Sequence, residues 1–270
     1  MQLKTSSDVF AYNTDASHMR NALLAAILLP ACAPQPALPP PAPAAPAISS
    51  PEQLVRAMHD RYAGKWFTTL TFVQKNTRYL ADERTDTSTW REALSLPGRL
   101  RIDVEPRTNG NGNIYRNDTV YVFSNGRLVR QARAPHPLLL LGFDVYFIPV
   151  DRTIATLREL GFDLSRMHES TWQGRPAYVV GAPPGDSRAR QFWIDRDRLV
   201  FVRMLEPSRR DTTRTAEIRF NRYYEVDGGW VAPEVEFLID GQRDFLEVYT
   251  EIKTNVPVPD SLFDPSRWRA

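Results

Sequence analysis

The residue best placed for covalent chemistry is Cys32, the only cysteine in the chain. It follows a short apolar run, residues 22–29, and ends the segment Leu29-Pro30-Ala31-Cys32. A lone cysteine has no disulfide partner within the chain, whereas a thiol at the end of a secretory signal is a site of cleavage and lipid attachment. We therefore predict that this segment is a bacterial lipobox and that Cys32 carries a lipid such as palmitate.

The export signal is clearest if translation starts at Met19, because Arg20 then supplies the basic region before the apolar run. Residues 19–31 are then a lipoprotein signal peptide, and residues 1–18 are an upstream extension that is not native. The alternative is that residues 22–29 are a buried helix fragment and Cys32 a small core residue. The run is shorter than the roughly 20 residues that cross a bilayer, so we expect the chain to be anchored to the membrane by its lipid and not to span the membrane.

Residues 32–49 are predicted to be a tether between the lipid and a folded domain. Residues 33–47 are almost wholly Ala and Pro, a composition that favours extended polyproline segments. At about 3.1 Å per residue, such a segment would hold the domain tens of ångströms from the membrane. The alternative is a disordered stretch that has no role in how far the domain extends from the membrane. Residues 50–270 remain as one domain.

Residues that could perform catalysis are scattered, and we predict that the protein is not an enzyme. The four histidines lack the spacing of a metal site, and no nucleophile elbow or glycine-rich phosphate loop occurs. We therefore expect no catalytic residue, no metal and no cofactor. The net charge of +2 also lacks the basic excess that indicates a nucleic-acid partner. The histidines are His18, His59, His136 and His168.

The domain begins with a predicted helix. Ser50 is a candidate N-cap, Pro51 suits the first helical position, and Gln53 is placed to complete a capping box. Gly64 is well placed to end the helix. An apolar stripe at a spacing of four residues gives this helix one face to bury, formed by Leu54, Met58 and Tyr62.

After Gly64 the pattern changes to the alternation that is typical of strands. Strands are predicted at residues 66–73, 85–96, 99–104, 113–123, 127–131, 167–172, 177–181, 190–194, 199–206, 213–226, 230–239 and 244–256. Glycine-containing turns separate several of them, as antiparallel hairpins require. Residues 151–160 alone among the interior segments have a good helical period.

These elements predict a mainly β (α+β) fold, a single curved antiparallel sheet of about eleven strands with a few short helices. A sheet of that size must hide one face, and curling into a barrel or half-barrel is the usual solution. The helices are too short to cover that face densely, so a ligand-sized apolar cavity is one expectation. A barrel filled by its own side chains remains the other.

Four segments in a fixed order resemble the periplasmic lipoprotein carriers and receptors of the LolA/LolB type. The segments are residues 71–75 (TFVQK), 96–101 (LPGRLR), 117–123 (NDTVYVF) and 256–265 (VPVPDSLFDP). The resemblance spans most of residues 50–265. It implies an unclosed barrel that is covered by helices and holds acyl chains.

The resemblance also indicates candidate ligand contacts. Leu96 stands where these carriers often have an arginine that fastens the helical cover, so a hydrophobic latch is expected instead. Leu100 is the best candidate for cavity lining, with an ordinary core leucine as the alternative. Residues 137–143 are either an exposed apolar patch or a buried helix turn under the barrel rim. The full candidate set is Leu96, Leu100, Ile102, Tyr121, Leu138, Leu139, Leu140, Leu141, Phe143 and Phe147.

The resulting functional hypothesis is a lipid-anchored, monomeric protein that binds acyl chains of lipoproteins or lipids. It would face the periplasm and act as a carrier or receptor in lipoprotein or lipid sorting. Resemblance to the sorting rule of some bacteria, in which an aspartate after the lipidated cysteine retains the protein in the inner membrane, implies the outer membrane, because no aspartate follows Cys32. A periplasmic carrier protein is an expected partner. The alternative is a structural or sensor lipoprotein that uses the barrel as a protein-interaction module.

Overall fold

Most of the structure is one large curved antiparallel sheet. The computed structural model describes residues 47–268, which fall within one compact unit, so the predicted signal peptide, Cys32 and nearly all of the tether lie outside the described residues. The elements are α1 (Pro51–Tyr62), β1 (Thr69–Tyr79), β2 (Thr85–Ser95), β3 (Arg99–Val104), β4 (Gly112–Arg116), β5 (Thr119–Ser124), β6 (Arg127–Arg133), α2 (Pro137–Gly142), α3 (Val150–Glu159), β7 (Met167–Trp172), β8 (Arg175–Val180), β9 (Gln191–Asp195), β10 (Val200–Pro207), β11 (Thr215–Asn221), β12 (Tyr224–Val226), β13 (Gly229–Val231), β14 (Glu234–Ile239) and β15 (Gln242–Thr254).

The sheet contains thirteen strands in the order β6-β5-β4-β3-β2-β1-β15-β14-β11-β10-β9-β8-β7. Almost every strand pairs with its neighbour in sequence, and the main exception joins β1 to β15 in the middle of the sheet. Strands β6 and β7 are the two edges and do not pair with each other. The sheet is therefore curved but not closed, as the sequence predicts.

The sequence predicts twelve strand segments in a sheet of about eleven strands, whereas the sheet has thirteen strands because a turn divides one of those segments. Residues 113–123 form β4 and β5, which are joined by a turn at Asn117 and Asp118, both with positive φ angles. Asn and Asp tolerate that conformation without a glycine. Residues 213–226 and 230–239 are also divided, and their inner ends pair as the small β12–β13 hairpin outside the main sheet.

Helix α1 starts as the sequence predicts, with one difference in its cap. The Ser50 Oγ atom accepts a hydrogen bond from the Gln53 N–H at 3.2 Å. The Gln53 side chain accepts one from the N–H of Ser49 at 2.8 Å, one residue before the Ser50 N–H of a standard capping box. The predicted apolar stripe is buried. Within residues 47–268, no helix has the length and apolar character to cross a membrane.

Three aromatic rings fasten the helices to the sheet. Trp66 stacks on Tyr146 with ring centroids 3.9 Å apart, and Tyr62 meets both rings edge-on. The Tyr62 hydroxyl donates to the backbone carbonyl of Arg198 at 2.5 Å, and the Tyr146 hydroxyl donates to that of Leu199 at 3.3 Å. These contacts tie α1 and the 3-10 helix Asp144–Tyr146 to the turn between β9 and β10.

The β12–β13 hairpin packs tightly against the residues that follow α1, and this contact is testable. A Cβ atom at Gly229 would lie 2.7 Å from Trp66 Cδ2 and 2.9 Å from Phe67 Cδ1. We expect Gly229→Ala to lower the free energy of unfolding by about 1–3 kcal/mol, as overpacking does. Urea denaturation followed by intrinsic fluorescence measures it.

Gly142→Ala is the control, because Gly142 lies in helix α2 and its added Cβ would meet only Phe220 Cε2 at 3.4 Å. Alanine is favoured over glycine in a helix by up to about 1 kcal/mol, so this variant should keep or gain stability. Equal effects of the two substitutions would contradict the packing described for the hairpin.

Candidate functional site

A cavity of about 260 Å³ lies between one face of the sheet, helix α2 and the β12–β13 hairpin. It is only partly enclosed. Apolar and aromatic side chains dominate its wall, with a few polar groups among them. The lining residues are Leu70, Phe72, Gln74, Trp90, Glu92, Leu94, Leu100, Ile102, Asn113, Tyr115, His136, Leu138, Leu139, Gly142, Phe143, Phe220, Tyr223, Trp230, Val231, Ala232, Phe237, Glu247 and Tyr249.

The strand residues of this wall follow a two-residue period. Successive side chains of a strand point to opposite faces, so alternate residues reach the same side of the sheet. The lining residues of β1 to β4 and β15 obey that rule: 70, 72 and 74; 90, 92 and 94; 100 and 102; 113 and 115; 247 and 249. One face of five adjacent strands thus forms a continuous wall.

Helix α2 covers this wall and is the first part of the helical lid, which we define as α2, the 3-10 helix Asp144–Tyr146 and α3. Pro137 occupies the first turn of α2, and the His136 Nδ1 atom accepts a hydrogen bond from the Leu139 N–H at 3.2 Å. Burial and the positive charge of Arg209 lower the pKa of His136 to about 4. The neutral ring is the form that accepts this bond, so His136 acts as an N-cap at neutral pH.

A carboxylate joins the lid to the turn between β2 and β3. The Asp144 Oδ1 atom accepts a hydrogen bond from the Gly98 N–H at 2.8 Å. Burial raises the pKa of Asp144 to about 7, against the opposing effect of that hydrogen bond. Leu96, expected to form a hydrophobic latch, is buried in the main core at 6% exposure but does not line the cavity. The contact that fastens the lid to this turn is therefore the polar one, the hydrogen bond accepted by Asp144 from Gly98.

Polar residues of β1, β2 and β15 also line the cavity. Glu92 and Glu247 both reach it, and the Tyr249 hydroxyl donates to Glu247 Oε2 at 2.9 Å. Burial raises the pKa of Glu247 to about 7, and it raises the pKa of Glu92 well above its ordinary value. The negative charge of Glu247 adds to the shift at Glu92.

Five of the predicted contact residues line the cavity. Leu100 and Ile102 lie on β3, where their alternation directs both to the same face, and the others belong to α2 and the residue after it. Residues 137–143 therefore form a helix turn that is partly buried and has one side on the cavity, and not an exposed patch. The five residues are Leu100, Ile102, Leu138, Leu139 and Phe143.

The other five predicted residues do not line the cavity. Leu140 and Leu141 are buried in the core, because only part of a helical turn can face the cavity. Phe147 follows the 3-10 helix and packs against the core while partly buried, and Leu96 is the buried core residue already described. Tyr121 of β5 pairs with Ile114 on β4, the residue before the cavity-lining Tyr115, so its side chain lies on the other face of the sheet. It packs there against Ile114, Phe123 and Trp268.

Sequence reasoning missed the aromatic and acidic part of the wall. Trp90, Glu92 and Leu94 share one parity on β2, and that parity is a signal that could have placed Glu92 inside. The contributions of Trp230 and Phe237 depend on the hairpin that divides the predicted strand 230–239, and only the structure shows that division. In residues 47–268, no group of three or more His, Cys, Asp or Glu side chains could hold a metal ion.

The titration of Asp144 gives a testable pH dependence. Its pKa is about 7 in the folded protein against an ordinary value of 3.8, so the folded state holds the proton more tightly. Its contribution to stability is therefore full below pH 4 and is lost as the pH rises towards 7. In Asp144→Asn, the amide oxygen still accepts from Gly98 but does not titrate.

We expect D144N to show a smaller fall in melting temperature between pH 5 and pH 8 than the unmodified protein. Differential scanning calorimetry at both pH values measures this. Asp86→Asn, at an exposed residue of β2, is the control and should leave the pH dependence unchanged. An identical pH dependence for D144N and the parent protein would show that Asp144 is not a titrating latch.

Solved structures with a similar fold are known. One is described as an outer membrane lipoprotein-sorting protein domain from Vibrio parahaemolyticus, with a TM-score of 0.54 and 11% sequence identity over 80% of this chain and 96% of that chain. A DUF1329 family protein from Desulfovibrio piger has a TM-score of 0.51 and 13% identity, covering 81% and 97% of the two chains. A LolA superfamily protein from Nitrosomonas europaea has a TM-score of 0.49 and 11% identity, covering 78% and 97%.

No family model and no curated protein sequence matches this chain. At identities this low, the structural similarity shows a shared fold and does not by itself transfer a function. The chain shares its fold with the domain from Vibrio parahaemolyticus that is described as a lipoprotein-sorting protein domain, in agreement with the resemblance found in the sequence.

Proposed function

We propose, from this fold and its cavity, that the protein is a lipid-anchored, non-enzymatic binder of acylated molecules in a bacterial cell envelope. Its cargo would be lipoproteins or lipids, and its role that of a carrier or receptor in their sorting. The observation that carries the proposal is the partly enclosed, mainly apolar cavity beneath a helical lid. The fold shared with a lipoprotein-sorting domain supports it.

The size and lining of the cavity suit an acyl chain. A cavity of about 150 Å³ is enough for a benzene-sized apolar ligand, and the cavity here measures about 260 Å³. Each buried methylene group contributes about 0.8 kcal/mol, so even part of one chain gains several kcal/mol. We infer that one chain enters the conformation seen here, and that several would require the lid to move.

An alternative role as a protein-interaction module is favoured by one surface. Leu128 and Val129 of the edge strand β6 are 48% and 60% exposed, and an unpaired edge is a template for another strand. Arg127, Arg130 and Arg133 lie on the same strand, and charged side chains on an edge oppose strand pairing. The open cavity, which a plugged barrel would lack, supports the acyl-binding role more directly.

Replacing Leu138 by arginine tests acyl binding with little risk to folding, because Leu138 is only partly buried on the lid. We expect Leu138→Arg to reduce co-purified lipid and to weaken uptake of a fluorescent C16 acyl probe about tenfold or more, since a charge would enter the apolar wall. Native mass spectrometry with lipid extraction and a fluorescence titration measure the two effects. The full chain carrying Cys32→Ala avoids interference from an attached lipid.

Leu128→Arg is the matched control, an equal change at an exposed leucine outside the cavity. It should leave lipid content and probe uptake unchanged. If the parent protein neither carries lipid nor takes up the probe, or if both variants behave alike, the acyl-binding role is wrong and the interaction module becomes the better hypothesis.

The lipobox prediction extends this proposal to the membrane anchor. In a bacterial host grown with radiolabelled palmitate, we expect the unmodified chain to be labelled and to sediment with the membranes. Cys32→Ala should abolish both, because the thiol is the attachment site. A chain with Met1–His18 deleted should be labelled like the parent if Met19 is the native start. Equal labelling of C32A and the parent would rule out the anchor.

A further inference from the structure

Strand β6, one of the two free edges of the sheet, carries two adjacent exposed apolar side chains. Within residues 47–268, the exposed large hydrophobic residues are Leu80, Leu128, Val129 and Tyr224. Leu128 and Val129 are the only neighbours among these four, and they are also the two most exposed. Apolar residues scattered singly over a surface are normal, whereas grouped ones indicate a contact with a partner or a membrane.

Three arginines surround this apolar pair. Arg127 precedes it and Arg130 follows it on the same strand. The turn that leads into β6 meets the loop between β3 and β4, where the Gly126 N–H donates a hydrogen bond to the Gly110 carbonyl at 3.0 Å. That loop contributes the third arginine, Arg107. We call this surface the basic edge, and its members are Arg107, Arg127, Leu128, Val129 and Arg130.

The positive charge of the basic edge is not neutralised by nearby acidic side chains. Within the described residues its three guanidinium groups are exposed and form no ion pair. The neighbouring carboxylates are occupied by other arginines. Glu105 pairs with Arg91 at 2.7 Å, and Arg133 is held by Glu159 at 2.7 Å and by Asp118 at 3.5 Å. The basic edge therefore combines exposed apolar groups with positive charge that is free to meet an anionic partner.

The basic edge presents side chains on both faces of the sheet. Leu128 pairs with Phe123, which packs on the face away from the cavity. Arg130 pairs with Val122, and Val122 pairs with Asn113 of the cavity wall. Because paired residues point to the same side of a sheet, Leu128 lies on the outer face and Arg130 on the cavity face. A partner packed on one face would contact only one of them, whereas an edge that enters a membrane surface contacts both.

We propose that the basic edge docks on an anionic lipid surface. Leu128 and Val129 enter the boundary between headgroups and acyl chains, and the arginines bind lipid phosphates. Pairing with a strand of another protein is disfavoured, because charged side chains on an edge oppose it. The inference goes beyond the proposed function, since membrane contact does not require a ligand in the cavity. For an acyl-binding protein, this contact also brings one margin of the cavity wall to the bilayer.

Vesicle binding tests the proposal. The full chain carrying Cys32→Ala, which excludes an attached lipid, is sedimented with vesicles of phosphatidylcholine alone or of phosphatidylcholine mixed with phosphatidylglycerol. We expect binding to the anionic vesicles to be about tenfold or more tighter, and this preference to fall as salt is added. The apolar segment 22–29 has no charged residue and is common to all variants, so it does not affect the comparison between them.

Two double variants identify the arginines responsible. Arg127→Gln combined with Arg130→Gln should lose most of the preference for anionic vesicles. Arg56→Gln combined with Arg61→Gln removes the same charge from exposed positions of helix α1 and should keep that preference. All four positions are exposed, so both variants should fold, and thermal melting checks this.

A fluorescent label tests the insertion of the apolar pair directly. In the Cys32→Ala background, Val129→Cys provides the only cysteine and is labelled with the environment-sensitive fluorophore NBD. We expect its emission to shift to the blue when anionic vesicles are added, because the label leaves water for the headgroup–acyl boundary. Tyr224→Cys, at an exposed residue of the β12–β13 hairpin, is the control and should show no shift.

The outcomes separate this inference from the proposed function. Equal losses in the two double variants, or an unshifted label at Val129, would overturn the docking surface. A parent protein that does not prefer anionic vesicles would also overturn it and leave the edge to a protein partner. Leu138→Arg should bind vesicles like the parent while losing uptake of the acyl probe. The double variant of Arg127 and Arg130 should do the reverse.

Discussion

The pairing of β1 with β15 is the constraint on which the rest of the structure depends. It joins the two ends of the folded chain, with Leu70 opposite Thr254 and Arg78 opposite Phe245. Strands β2 to β6 extend from one side of this pair and β14 to β7 from the other. Because both strands carry cavity residues on the same face, the pairing also brings Phe72, Gln74, Glu247 and Tyr249 together. A shift of one residue in this register would turn one half of that wall outward.

Local patterns predicted much of this architecture. Alternation from residue 66 onward identified the strands, and the cap at Ser50 identified helix α1, because both signals depend only on near neighbours. The turn at Asn117 and Asp118 escaped prediction, since it has no glycine within an otherwise regular strand pattern. Which lid leucines meet the cavity depends on how α2 is rotated against the sheet, a tertiary property. Leu138 and Leu139 face it and Leu140 and Leu141 do not, although the sequence presents four identical side chains.

The acidic groups of the sheet and the lid differ in what they do for the fold. Asp144 is buried but has a backbone partner in Gly98, so its carboxyl group has a structural use. Glu217 has two arginines. Glu92 and Glu247 line the cavity and are partly buried, and Glu247 accepts a hydrogen bond from the Tyr249 hydroxyl. This distinction cannot be predicted from the sequence, because it depends on the spatial neighbours of each of the four acidic residues.

The connection between the two edge strands passes through the lid. Strand β6 ends at Arg133 and β7 begins at Met167, so residues 134–166 bridge the gap that the unclosed sheet leaves, and α2 and α3 lie within that bridge. The bridge acts as a strap, attached at both margins of the sheet and fastened in between by Asp144 and Tyr146. Releasing those fastenings would widen the entrance without breaking a single strand pair. The strand pairs can therefore stay intact while the strap, which forms one wall of the cavity, changes how much the cavity can hold.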